Sequence, residues 1–166
     1  MALVRSEYAG ELAVVAAWIS ALIPASVRFF RPSALPFDLL VVRYTYFQLQ
    51  FLLDAPPNFE TDTFLWIHEA HDASAGVSAT LTVSAVAALA LTLALALSVA
   101  YYLAEERVED LPVDPVRAMG VLLGVCGLAS AAATALTLEN EPGITVPLAP
   151  VFMFVFAASL LRVDRD

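Results

Sequence analysis

Long uncharged runs, rather than alternating polar and apolar faces, dominate this chain. The longest extends from Ala73 to Ala104, and its apolar centre, Val83 to Leu103, supplies the roughly 20 residues needed to cross a hydrocarbon core. Two more run from Ala118 to Leu138 and from Pro142 to Leu161. A fourth, Leu12 to Val27, is shorter and carries Pro24, but continues into Phe29 and Phe30, with Arg28 placed to snorkel to the interface. The pattern predicts four spans, at about 11–30, 75–104, 118–138 and 144–162. A cleaved signal peptide is the competing reading of the first run, with Arg5 in front and Ala25 or Ser26 behind. Glu7 and Glu11 stand where such a leader is basic, and Trp18 is central, so the segment reads as a retained span.

The loop from 31 to 72 is too long to be a simple connector. Pro32 and Pro36 open it, Pro56 and Pro57 divide it, and Phe37 to Leu53 lies between. Within Arg43–Phe51, residues Tyr44, Tyr46, Gln48 and Gln50 fall on one face of a strand, and Arg43, Thr45, Phe47, Leu49 and Phe51 on the other. A lone strand exposes an edge, so a hairpin or small ribbon is expected, with an interfacial helix as the alternative. A further helix is predicted to begin near Thr61 or Thr63. The expected fold class is therefore an all-α membrane protein: one domain of four transmembrane helices, with a small extracellular β-hairpin or interfacial segment in the first loop.

Composition agrees with the runs. Apolar residues are 60% of the 166, against the roughly 45–50% usual in soluble domains, and charged residues 15% against about 25%. This argues against an ordinary cytosolic enzyme. Acids outnumber bases 17 to 8, and every base is an arginine. A net charge of −9 argues against nucleic-acid partners and against a polybasic lipid anchor. Acid excess without lysine points to an extreme halophile, where molar salt screens a dense negative surface, with a GC-rich genome as the alternative explanation. With four spans, Arg5, Arg107, Arg117, Arg162 and Arg165 share one side and Arg28, Arg31 and Arg43 the other, which favours cytoplasmic termini in a multi-pass protein of the cell membrane.

Few side chains suggest chemistry. His68, His71 and Asp72 fall at i, i+3 and i+4 on a helix, a spacing that can serve one divalent ion, with Glu60 and Asp62 nearby. The spacing is not the HExxH of zinc proteases, and a hydrated cap on span two is the plainer reading. Glu105 to Asp110 reads as a solvated helix end or as a docking patch. Gly120, Gly124, Gly127 and Ala131 form a small-residue stripe that lets helices approach closely, within the monomer or between copies, and Ala88, Thr92, Ala96 and Ala100 form another. Cys126 is the only cysteine, which leaves no disulfide within the chain and makes it a packing residue. No ionisable residue lies mid-span, and neither a phosphate loop nor a nucleophile motif is present, so neither an enzyme nor a cofactor is expected.

Val4 to Leu12, Val42 to Phe51 and Tyr101 to Arg107 together resemble small haloarchaeal membrane proteins of unknown function. The resemblance implies an archaeal cell membrane and supplies no site residues. The expected role is that of a non-enzymatic accessory or interaction subunit, recognised through its first extracellular loop. Its partners are then the lipid bilayer and another membrane protein or a second copy. An oligomeric transporter or channel component, with Ser78, Thr82 and Thr92 facing a pore, is one alternative. A metal-binding or metal-sensing module at His68 and His71 is another.

Overall fold

The computed structural model describes residues 8–31, 36–56, 63–69, 78–104, 107–108, 112–140 and 143–163. In chain order it contains helix α1 (Ala9–Leu22), strands β1 (Ser26–Phe30), β2 (Asp38–Arg43), β3 (Phe47–Leu53) and β4 (Phe64–Trp66), helices α2 (Ser78–Leu103) and α3 (Pro115–Asn140), strand β5 (Ile144–Pro147) and helix α4 (Ala149–Leu161). The five strands form one sheet in the order β4-β3-β2-β1-β5, and every pair is antiparallel. The fold is therefore not all-α.

Four spanning helices are corrected to two. Among the described residues, only α2 and α3 are long and apolar enough to cross a membrane. The first predicted span, 11–30, is α1 followed by β1. Its helix stops because Pro24 has no N–H to donate and its ring would collide with the carbonyl one turn back. Ile23 makes the last helical bond, to the Ile19 carbonyl at 3.0 Å. The β-branched and aromatic stretch Ser26–Phe30 then takes strand geometry. The fourth predicted span, 144–162, divides in the same way into β5 and α4, with Pro147 closing the strand and Pro150 tolerated in the first turn of the helix. Apolarity was common to both halves of each run, and only backbone pairing separated them.

The first loop is corrected too. Its strands form no isolated hairpin, because β1 and β5, drawn from the two broken runs, extend them into one sheet. Nor is Arg43–Phe51 a single strand. The chain turns at 44–46, where Tyr44 N–H donates to the Phe47 carbonyl at 2.8 Å, and Arg43 comes to lie opposite Gln48. Arg43 and Gln48 therefore share a face, contrary to the uninterrupted alternation. Residues 64–66, expected to lead into a helix, are the edge strand β4.

The two long helices each extend about 39 Å, and α1 and α4 about 20 Å, at 1.5 Å per residue. Gly10 at the start of α1 lies under the ring of Tyr101 near the end of α2, so α1 covers only one half of α2. Sheet residues cover the other half, with Tyr46 reaching Ala88 and Thr92. At one end the short helices α1 and α4 pack against α2 and α3, and at the other the sheet lies over the two long helices, so the expected four-helix transmembrane bundle is replaced by a mixed helix-and-sheet fold. Backbone bonds join the ends where the change occurs: Leu148 N–H to the Ala25 carbonyl and Ala149 N–H to the Pro24 carbonyl, both 3.1 Å. Asp114 starts α3 by accepting from Val116 N–H at 2.9 Å, an N-cap that puts the helix three residues ahead of the predicted span. Small residues fill the bundle core: Ala13, Ala17, Ala90, Ala94 and Cys126, with Met119, Leu123 and Met153 between them.

The glycine stripe of α3 lies against α4. A Cβ built on Gly127 would stand 3.1 Å from Met153 Cβ, and one on Gly120 3.1 Å from Leu160 Cβ; at Gly124 the nearest atom, Ala157 Cβ, is 3.6 Å away. Ala131, next along, is half-buried. Gly127→Ala is therefore expected to lower the melting temperature in detergent. Gly124→Ala is expected to be neutral or to raise it, since alanine gains about 1 kcal/mol of helix propensity over glycine. Equal effects from the two would refute this helix packing.

Gly143 has a φ of +120°, and a Cβ there would meet Phe30 Cβ at 2.5 Å and the Phe29 carbonyl oxygen at 2.7 Å. Gly143→Ala is expected to cost about 2 kcal/mol or more, read from denaturant or thermal unfolding, because it combines backbone strain with a clash against β1.

Candidate functional site

Strand register decides which side chains share each face of the sheet. Ser26 is opposite Arg43, Arg28 opposite Val41, Phe30 opposite Leu39, and Arg43 opposite Gln48. These residues form the face that packs on α2 and α3, and Ser26, Arg28, Leu39, Val41 and Gln48 are all buried there. The other face carries Val27 and Phe29 from β1, Leu40 and Val42 from β2, and Phe47, Leu49, Phe51 and Leu53 from β3. Phe64 and Trp66 of β4 and Ile144 and Val146 of β5 complete it. Phe29 is 42%, Trp66 50% and Ile144 71% exposed, while Arg28 is 8% and Gln48 4% exposed. The sheet departs from one in water: Ser26, Arg28 and Gln48 are buried on the inner face beside Leu39 and Val41, while the outward positions, Asp38 apart, are apolar.

An aromatic row crosses the exposed face. Tyr44 stacks on Phe47 at 4.6 Å between ring centroids, Phe47 on Phe64 at 5.2 Å, and Phe64 meets Trp66 edge-on at 5.2 Å. Such pairs add roughly 0.5–1.5 kcal/mol beyond burial, which favours the stacked arrangement. Asp38, at the margin, pairs with Arg31 at 2.6 Å.

The buried face is held by polar contacts to the long helices. The Tyr46 hydroxyl lies 3.0 Å from Thr92 Oγ1 and donates to the Ala88 carbonyl at 3.4 Å, while Arg43 Nη1 donates to Thr137 Oγ1 at 3.2 Å. The Arg28 guanidinium sits 4.2 Å above the Phe30 ring. Burial lowers the pKa of Arg28; burial and then the charge of Arg28 lower that of Arg43. Three buried oxygens, Ser20 Oγ, Thr45 Oγ1 and Gln48 Oε1, have no partner among the described residues.

The residues singled out from the sequence are mostly placed elsewhere. His68 is exposed, beside Glu69, whose Oε2 accepts from Trp66 N–H at 2.9 Å. His71 and Asp72 lie outside the described residues, as do Glu60 and Asp62, and among the described residues no three potential metal ligands come together. Gly120, Gly124 and Gly127 serve the α3–α4 contact. On α2 the face packed in the bundle is Ala87, Leu91, Ala94 and Ser98, not the stripe of Ala96 and Ala100, which is exposed. Thr92, a candidate pore residue, is occupied by Tyr46. The burial of Arg28 and Gln48 was not legible in the sequence. The alternation was visible, but which side met the helices depended on a register that only the 44–46 turn sets.

Tyr46→Phe and Thr92→Val are each expected to destabilise the protein by about 0.5–1.5 kcal/mol, the net worth of one hydrogen bond. The double variant is expected to cost less than the sum of the two, because both remove the same contact. Strict additivity in a double-mutant cycle would show that the sheet is not held to α2 by this pair.

No curated protein matches the chain. A family profile, described as a family of unknown function, DUF7549, matches residues 2–165. The match takes in the bundle and the sheet together, and the chain belongs to that family.

Proposed function

We propose that this chain is a non-enzymatic integral membrane protein, held by α2 and α3, whose sheet turns its apolar face to the acyl and headgroup boundary of the outer leaflet. The apolar outward face of the sheet is the observation that carries the reading. Twelve outward positions on five strands are apolar, while arginine, glutamine and serine are buried against the helices. In water this arrangement exposes a broad apolar patch and desolvates charge, both unfavourable. Against lipid the outward side chains are matched to their surroundings.

The helices support the same reading. Only 33% of the most apolar window of α2 and 39% of that of α3 is buried inside the protein, whereas the core helix of a soluble domain hides most of such a window. Among the described residues β4 and β5 are the edges of the sheet, and this limits the depth. Unpaired strand edges are excluded from hydrocarbon, so the sheet belongs at the boundary, the level that Trp and Tyr favour. Cytoplasmic termini put that boundary on the outer side of the cell membrane.

One observation favours a second reading, in which another membrane protein covers the same face and this chain is its accessory subunit. The aromatic row is a contiguous apolar surface that ends at β4, an edge strand among the described residues, where a partner's apolar side chains could seat. Trp66 separates the two. With Trp18→Phe removing the other tryptophan, the protein is reconstituted into vesicles whose acyl chains carry bromine. The expected result is quenched, blue-shifted Trp66 emission. Emission quenched by aqueous iodide and not by bromolipid would overturn the lipid reading. Emission protected from both quenchers, with a stoichiometric co-purifying protein, would establish the accessory reading instead.

A further inference from the structure

At the end of the bundle away from the sheet, α1 and α2 leave a groove between them. Ala9, Ala13 and Ala17 of α1 are buried in the core, and Gly10 admits the Tyr101 ring, so small residues fill the helix contact and larger side chains stand along its margins. Two adjoining, half-open depressions result. One, of about 490 Å³, lies beside Glu11, Val15 and Tyr101; the other, of about 290 Å³, lies beside Trp18, Val99 and Leu103. Both are walled by Val14 and Tyr102, so the two are continuous. Their sizes are those of small-ligand sites, roughly 300–1,000 Å³.

Polarity changes along the groove. Ser98, on the wall of the second depression, is fully buried and donates to the Leu95 carbonyl at 2.8 Å, which leaves that half essentially hydrocarbon. The first depression carries Glu11, an exposed carboxylate that forms no ion pair with any described residue. Tyr101 and Tyr102 stand in the same wall, and aromatic rings attract cations. With α2 and α3 across a bilayer, the reading on which this inference rests, the groove opens to the leaflet opposite the sheet. Its occupant is then an amphiphile with an apolar tail and a head that suits a carboxylate.

We propose that this groove holds one aminophospholipid, with its tail along Trp18, Val99 and Leu103 and its primary ammonium at Glu11. A primary ammonium both neutralises the carboxylate and donates hydrogen bonds to it. A quaternary ammonium has no proton to donate, and a head of net negative charge is repelled.

The test uses the full chain with Trp66→Phe, which keeps an aromatic ring in the sheet and leaves Trp18 as the one tryptophan. It is reconstituted into phosphatidylcholine vesicles that contain, as a minor component, a lipid with brominated acyl chains. Brominated phosphatidylethanolamine is expected to quench Trp18 with a half-saturating mole fraction about fivefold below that of brominated phosphatidylglycerol, the upper range for an exposed ion pair. Glu11→Gln, an exposed substitution that leaves the core intact, is expected to make the two lipids equivalent. Equal quenching by the two in the parent, or a preference that survives Glu11→Gln, overturns the proposal and leaves the membrane reading standing. Emission untouched by either lipid overturns both.

Discussion

Backbone N–H and C=O groups in apolar surroundings have to be paired, and this constraint shapes the molecule at the level of Pro24 and Pro147. Two apolar runs reach this level as continuous hydrophobic sequence and neither continues as helix through it. Pro24 ends α1 and leaves the following backbone groups to be satisfied by other means. Strand pairing is the available solution. β1 lies between β2 and β5, and the carbonyls of Pro24 and Ala25 are taken by Ala149 and Leu148. The sheet is therefore part of the same backbone accounting as the helices and not an appendage on a finished bundle.

The half-length of α1 and α4 follows from that break, and so does the position of the sheet. Where the short helices stop, α2 and α3 continue and need a cover, and the inner face of β1–β3 supplies it. That face carries Ser26, Arg28, Arg43 and Gln48 beside its apolar residues, and the flanks of the long helices there carry hydroxyls: Ser84, Thr92, Ser130, Thr134 and Thr137. Tyr46 and Arg43 bond directly to two of them. The polar residues of the sheet are drawn inward by these hydroxyls, and its apolar residues face outward by the two-residue alternation of a strand.

The proposed role of the sheet stems from that single choice of side. Outward, it offers aromatic and aliphatic residues to lipid or to a partner. Inward, it brings Arg43 and Tyr46 to hydroxyls of the two long helices. A one-residue slip in the 44–46 turn would exchange these faces and lose both.

Some of this was determined by the sequence itself. The uncharged runs of α2 and α3, the strand character between Phe37 and Leu53, and the small-residue stripe at Gly120, Gly124 and Gly127 are local properties of composition and period. The fate of 11–30 and 144–162 was not local. Apolar sequence is compatible with helix or strand, and Pro24 or Pro147 alone marks a kink as readily as an end. Ser26–Phe30 became a strand between Asp38–Arg43 and Ile144–Pro147, and that second partner, more than a hundred residues away, became a strand by the same meeting. The choice of inner face was likewise a tertiary matter, because alternation defines two faces without saying which is buried. The hydroxyls of α2 and α3 made that choice, since polar side chains are buried where hydrogen-bond partners await them.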